Sequence, residues 1–175
     1  MKELIIVVLI VVSASAFAQE REDVQRNSAG EVEYSDVKEV PDTKKEELFS
    51  RSQAWIAASF KSTQQVIQLA DKELGRVVAR GHTDFHSFTF GKVRPYGITH
   101  FQLTIDCKDG KYRAVLNQFV WKYPSAKVQM PIDKILRGQT GKRRNGGEVI
   151  LAFDQDMLHI LESLNKAMNT KSNDF

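Results

Sequence analysis

The stretch VPDTKKEELFSRSQAWIAASFKSTQQVIQLADKELGRVVARG, residues 40–81, decides the fold. Pro41 ends the strand before it, because proline cannot donate to a β-ladder. Asp42 or Thr43 can cap a helix, and Thr43 with Glu46 fits a capping box. Leu48, Phe49, Ser52, Trp55, Ile56, Ser59 and Phe60 recur at helical spacing and predict one aromatic-rich core stripe. Lys44, Lys45, Glu47 and Arg51 fall on the solvated side. Two apolar runs follow, Val66 to Ala70 and Val77 to Ala79, and residues 71–75 make the turn between them. Gly75 is available there for a left-handed conformation. The unit reads as a helix followed by an antiparallel hairpin.

Upstream of this unit, Val32 and Tyr34 alternate with polar residues and predict a strand over 30–40, bent near Ser35 and Asp36. Residues 19–30 are polar and read as a flexible arm. Residues 1–18 read as a signal peptide. Lys2 is its positive start, Leu4 to Val12 its apolar run, and Ala16-Phe17-Ala18 fits the small-x-small cleavage rule. That run is far shorter than the ~20 residues needed to cross a bilayer as a helix. The mature protein is therefore expected to be periplasmic or secreted, with no transmembrane segment after signal cleavage.

Downstream, residues 82–90 continue as a strand of mixed faces, since Phe85, Phe88 and Phe90 do not share one parity. Gly91 to Gly97, with Pro95, reads as a turn region. A long hairpin follows, Ile98 to Cys107 and Tyr112 to Tyr123, around Lys108-Asp109-Gly110-Lys111. Asp-Gly favours a two-residue type I′ turn, and counting outward from Lys108 opposite Lys111 sets the register. Cys107 then faces Tyr112, Ile105 faces Ala114, Leu103 faces Leu116 and Thr99 faces Val120, all on the core side. The other face pairs Asp106 with Arg113, Thr104 with Val115, Gln102 with Asn117, His100 with Phe119 and Ile98 with Trp121.

Residues 124–147 form a connection in which Met130 to Ile132 and Ile135-Leu136 dock locally. Asp154 is expected to cap a last helix with the stripe Met157, Leu158, Leu161, Leu164 and Met168. Residues 148–153 fit either a strand or the first turns of that helix.

The chain has 175 residues, 42% apolar and 27% charged, which suits one α+β domain over 31–170 and a tail over 171–175. A net charge of +3 is too small for a nucleic-acid-binding face, so no nucleic acid is expected as a partner. Cys107 is the only cysteine, so no intramolecular disulfide can form.

Several ordered features carry a family resemblance. They are Gly30 to Val40 followed by Leu48-Phe49, the Ala54-Trp55-Ile56 helix core, Gly75-Arg76-Val77-Val78-Ala79-Arg80-Gly81, and Leu103-Thr104-Ile105 leading through Lys108-Asp109-Gly110-Lys111-Tyr112-Arg113. Over about residues 30–123 the chain resembles an exported bacterial domain family of unknown function, common in Bacteroidetes, described as having a TBP-like fold. The resemblance implies a curved antiparallel sheet with two main helices packed on one face. It implies no activity, and the name of a shape does not bring DNA binding with it.

Chemistry is sparse. His82, Asp84 and His86 alternate on one strand face and are proper ligands for a divalent ion. Alternate positions stand ~7 Å apart, so a bend or a further ligand such as His100 is needed. Gly138 to Arg144 fails the phosphate-loop pattern, because Leu136 and Arg143 stand where Gly and Ser or Thr are required. No nucleophile elbow is visible. The outward face of the long hairpin offers His100, Gln102, Arg113, Asn117, Phe119 and Trp121, aromatics interleaved with polar groups as in recognition surfaces. The expectation is a non-catalytic envelope module that binds a protein, peptide or glycan there without a cofactor. A metal-dependent hydrolase at His82, Asp84 and His86 is one alternative. A structural domain that forms a homodimer through its sheet is another.

Overall fold

The computed structural model describes residues 24–60, 66–89, 92–123, 128–138 and 146–170. The expected signal peptide over 1–18, residues 139–144 of the stretch tested as a phosphate loop, and the expected tail over 171–175 lie outside the described residues. Among the described residues six strands and three helices follow in the order β1 (Tyr34–Glu39), α1 (Lys45–Ser59), β2 (Ile67–Asp71), β3 (Arg76–Thr89), β4 (Lys92–Lys108), β5 (Lys111–Lys122), β6 (Gln129–Pro131), α2 (Ile132–Arg137) and α3 (Gly146–Asn169). The fold is α+β. Its curved, unclosed antiparallel sheet has the order β1-β5-β4-β3-β2, and β6 pairs with the far half of β5.

The helices lie on one face of the sheet. Leu48, Phe49, Ser52, Trp55 and Ile56 form the buried stripe of α1, and Val149, Phe153, Met157, Leu161, Leu164 and Met168 form that of α3. They meet the inward side chains Val77, Ala79, Phe85, Phe101, Leu103, Ile105, Cys107, Tyr112, Ala114 and Leu116. Apolar burial on this face is the main force holding the layers together. Trp55 belongs to it, and its Nε1 donates to Ser163 Oγ at 3.1 Å. Ser59 and Leu158, expected in the two stripes, are exposed.

The start of α1 is built differently from the expected capping box. Lys44 is the cap residue and supplies no side-chain bond, while the Thr43 hydroxyl donates to Pro41 O. The orphan Lys45 N–H instead donates to Asp109 Oδ1 at 2.8 Å, from the β4–β5 turn. Val40 N–H donates to Gly110 O, and Gly110 N–H donates to Thr43 O. Only Gly110 of the two turn residues takes a positive φ, so the turn is not type I′, which needs both. Asp109 is drawn off to cap the helix.

Other expectations are corrected by tertiary contacts. Residues 24–30, read as part of a flexible arm, fold onto the domain. Val24 is buried, Arg26 bridges to Val32, and Asn27 Oδ1 accepts from the Ala29 and Glu31 N–H groups. β1 runs unbroken through Ser35 and Asp36. Lys92–Gly97, read as a turn, belongs to β4. Tyr96 is the extra residue of a bulge between the Phe85–Gly97 and His86–Pro95 pairs, a setting that tolerates proline. α3 begins at Gly146, so residues 148–153 are helical and Asp154 is an interior residue. Its carboxylate accepts a 2.8 Å bond from the Tyr34 hydroxyl.

Candidate functional site

The face opposite the helices carries no element among the described residues. Four rows of side chains cross it between the hairpin turn and the far end. Asp71, Arg76, Asp106, Arg113 and Val37 form the first. Leu69, Val78, Thr104, Val115 and Ser35 form the next. Arg80, Gln102 and Asn117 follow, then His82, His100 and Val120. The expected register holds from Lys108–Lys111 to Gln102–Asn117. His100, Gln102, Arg113 and Asn117 therefore stand on this open face, as expected. Asn117 Nδ2 donates to Glu33 Oε2 at 3.2 Å.

Phe119 and Trp121 do not stand there. Beyond Asn117 the pairing resumes at His100–Val120, so Phe101 on β4 is matched by two residues of β5, Gln118 and Phe119. This bulge reverses the parity of everything after it. Phe119 and Trp121 turn to the helix side, 5% and 4% exposed, which removes the aromatic half of the expected site. Phe119 packs edge-on against Tyr34 and Phe153, and Trp121 stacks with Tyr96. The indole Nε1 has no hydrogen-bond partner among the described residues.

Gln118, the extra residue, takes φ +53, a conformation uncommon for residues other than glycine, asparagine and aspartate. It is exposed on the open face. A groove of about 240 Å³ forms around it, lined by Arg80, His100, Phe101, Gln102, Gln118, Val120, Lys122 and Gln129. Burial, helped by the charges of Lys122 and His82, holds the His100 imidazole below its ordinary pKa. His100 is therefore neutral near pH 7, with one ring nitrogen to donate and one to accept. The sequence reading missed Gln118, Arg80, Lys122 and Gln129. A signal existed: the inward apolar positions run 112, 114, 116 and then 119, 121, and such a parity break marks a bulge.

His82, Asp84 and His86 are not brought together as a ligand set. His82 and Asp84 are exposed, whereas His86 Nδ1 lies 3.4 Å from Asp156 Oδ2 on α3. Among the described residues no three His, Cys, Asp or Glu side chains are placed to share an ion. Cys107 is buried. Burial, with the Asp106 charge beside it, pushes its thiol up to about 12, against a weaker opposing bond from Ser52. Such a thiol is a core side chain and a poor nucleophile.

A family described as a domain of unknown function (DUF4468) with a TBP-like fold matches residues 34–122. Similar solved structures include two crystal structures. A DUF4468 family protein from Bacteroides ovatus has a TM-score of 0.62 at 16% identity, over 87% of this chain and 94% of that one. A TBP-like protein from Parabacteroides distasonis has a TM-score of 0.64, also at 16% identity, over 87% of this chain and 100% of that one. At this identity the likeness concerns the fold. No curated protein matches the chain.

Proposed function

We propose that this chain, which belongs to the DUF4468 family of domains of unknown function with a TBP-like fold, is a non-catalytic binding module that uses the open face of its sheet. The observation that carries this reading is the groove at the β5 bulge, where a non-glycine residue is held at φ +53 on a face that no described element covers. A left-handed non-glycine residue costs about 1–2 kcal/mol, and such positions cluster where function needs them. The groove presents three glutamine amides, a neutral imidazole and two cations, the donors and acceptors that suit a polar ligand such as a glycan or a peptide backbone. His100, Gln102 and Asn117 line or adjoin it, and Arg113 stands nearer the turn.

The setting we propose is the periplasm or the exterior of a bacterial cell, on the strength of the leader-like first eighteen residues. The partner would be an envelope protein, peptide or glycan. A ¹H–¹⁵N NMR titration of the purified chain with soluble cell-wall glycan fragments and with short peptides tests the reading. Saturable shifts at Gln118, His100 and Gln102, abolished by Gln118→Ala with His100→Ala, are expected. Shifts confined to the helix side would overturn it.

A further inference from the structure

The turn end of the open face holds a second concavity of about 480 Å³, lined by Val37, Leu74, Arg76, Asp106, Cys107, Lys108, Lys111, Tyr112 and Arg113. Asp106 stands between two guanidiniums. Arg76 Nε donates to its Oδ1 at 2.5 Å, and Arg113 Nη2 donates to its Oδ2 at 3.0 Å. Partial burial pushes the Asp106 carboxyl up, but these two bonds outweigh it and hold the group below its ordinary pKa. Each guanidinium carries five N–H donors and spends one on Asp106. Both arginines remain about half exposed, at 44% and 53%. Asp106 thus fixes two half-exposed arginines side by side, each with donors to spare.

Lys108 and Lys111 stand directly opposite each other at the turn, and neither makes an ion pair among the described residues. Like charges facing across a strand pair are destabilising. Glu39 stands opposite Lys111 at the outer edge and Asp71 opposite Arg76. Within the concavity, four cations meet the one carboxylate of Asp106. Its two flanks are apolar. Leu74 and Val37, 67% and 60% exposed, are the two most exposed large apolar side chains among the described residues, and both line this one concavity.

The spacing of the flanks gives the length of the occupant. Val37 is on β1 and Leu74 is in the turn that leads into β3, three strand spacings away across β5 and β4. Three spacings of ~4.8 Å across the strands, with Leu74 one same-face step nearer the turn than the Val37 row, make ~16 Å, a span that side chains at positions i and i+4 of an extended chain, ~14 Å apart, cover by splaying outward. The midpoint falls between the Asp106–Arg113 and Lys108–Lys111 pairs, where a carboxylate at position i+2 would meet spare guanidinium donors and the two ammonium groups. Bidentate arginine–carboxylate contacts are among the strong hydrogen bonds of proteins.

We propose that this concavity binds an extended acidic segment of a partner protein, crossing the strands, with an aliphatic side chain at its first and fifth positions and Asp or Glu at its third. The proposal rests on the open-face reading and names a partner chemistry for its turn end. The test is NMR titration of the purified chain with acetyl-Leu-Ser-Glu-Ser-Leu-amide and with the same peptide carrying Gln at the centre. Saturable shifts at Arg76, Arg113, Leu74 and Val37 are expected, with at least tenfold weaker binding of the Gln peptide. Arg113→Gln and, separately, the exposed Lys111→Gln should each weaken the Glu peptide several-fold with unchanged melting. Leu74→Ser with Val37→Ser should weaken it about as much, and Gln118→Ala with His100→Ala should leave it unchanged. Equal binding of the two peptides, or none of either, overturns the proposal. Shifts that map to the Gln118 groove overturn it while leaving the open-face reading standing. Silence of both surfaces toward peptides and glycans alike sinks both.

Discussion

Between Lys108–Lys111 and Gln102–Asn117 the β4–β5 hairpin keeps the pairing that a two-residue turn dictates, whereas past Gln118 the same two strands are out of step by one residue. Near the turn, register is a local matter. Few residues separate the partners, and every inward side chain there is already apolar. Far from the turn, continuing that register would set Phe119 and Trp121 in water. A single residue in a left-handed conformation costs about 1–2 kcal/mol, while losing a buried Phe or Trp side chain costs about 3–5 kcal/mol. The bulge is the cheaper arrangement. The near half of the open face carries a row of fixed charges followed by an uncharged row, and the far half is a groove of amides around a bulged strand.

The widest gap between the halves should appear on truncation. Trp121→Ala is expected to lower stability by about 3–5 kcal/mol, read from urea unfolding. His100→Ala, on the opposite face of the same strand pair, should stay within about 0.5 kcal/mol. Near-equal losses would mean that the indole is not part of the core. A smaller effect tests how the near half is pinned. Asp109→Ala removes the acceptor for the Lys45 N–H and should cost about 1 kcal/mol, with Asp109→Asn restoring most of it. No loss would show that the turn holds its register without the helix.

Gln118→Gly probes the bulge itself. Relief of the φ +53 conformation should raise stability by up to about 1 kcal/mol, seen as a higher denaturant midpoint at unchanged m-value. A lower midpoint would mean that the glutamine side chain holds the groove together. The smallest effect concerns pH. Asp106 has a depressed folded-state pKa, so its ion pairs add stability above the unfolded value of about 3.9 and lose it as pH falls through the folded value. Asp106→Asn should flatten the stability–pH curve below about pH 4 and change it little near neutrality, because exposed pairs contribute little. An unchanged acid limb would place the acid sensitivity elsewhere.

His86 shows why the site was only half legible. Alternation along β3 gives it the parity of His82 and Asp84, yet it reaches Asp156 on α3, more than sixty residues away in the chain. Asp154 is a similar case. Read locally it is a helix cap, and its true partner is Tyr34 on an edge strand. Polar side chains are assigned by whichever partner the fold brings near, and burial makes an unpartnered group costly. Apolar residues are easier to read, because the requirement to be inside depends little on which neighbour they find.

The sequence by itself determined the order of β1 to β5, α1 and α3, the Gly75 turn, the near register around Asp109-Gly110, the inward position of Cys107 and the outward positions of His100, Gln102, Arg113 and Asn117. Each follows from periodicity or turn chemistry acting over a few residues. Only the tertiary structure decided the bulge at Gln118, the burial of Phe119 and Trp121, the capping of α1 by a distant turn, the early start of α3 and the docking of residues 24–30. Each of these is a choice between locally similar arrangements, and the free energy that separates them comes from contacts between segments far apart in the chain.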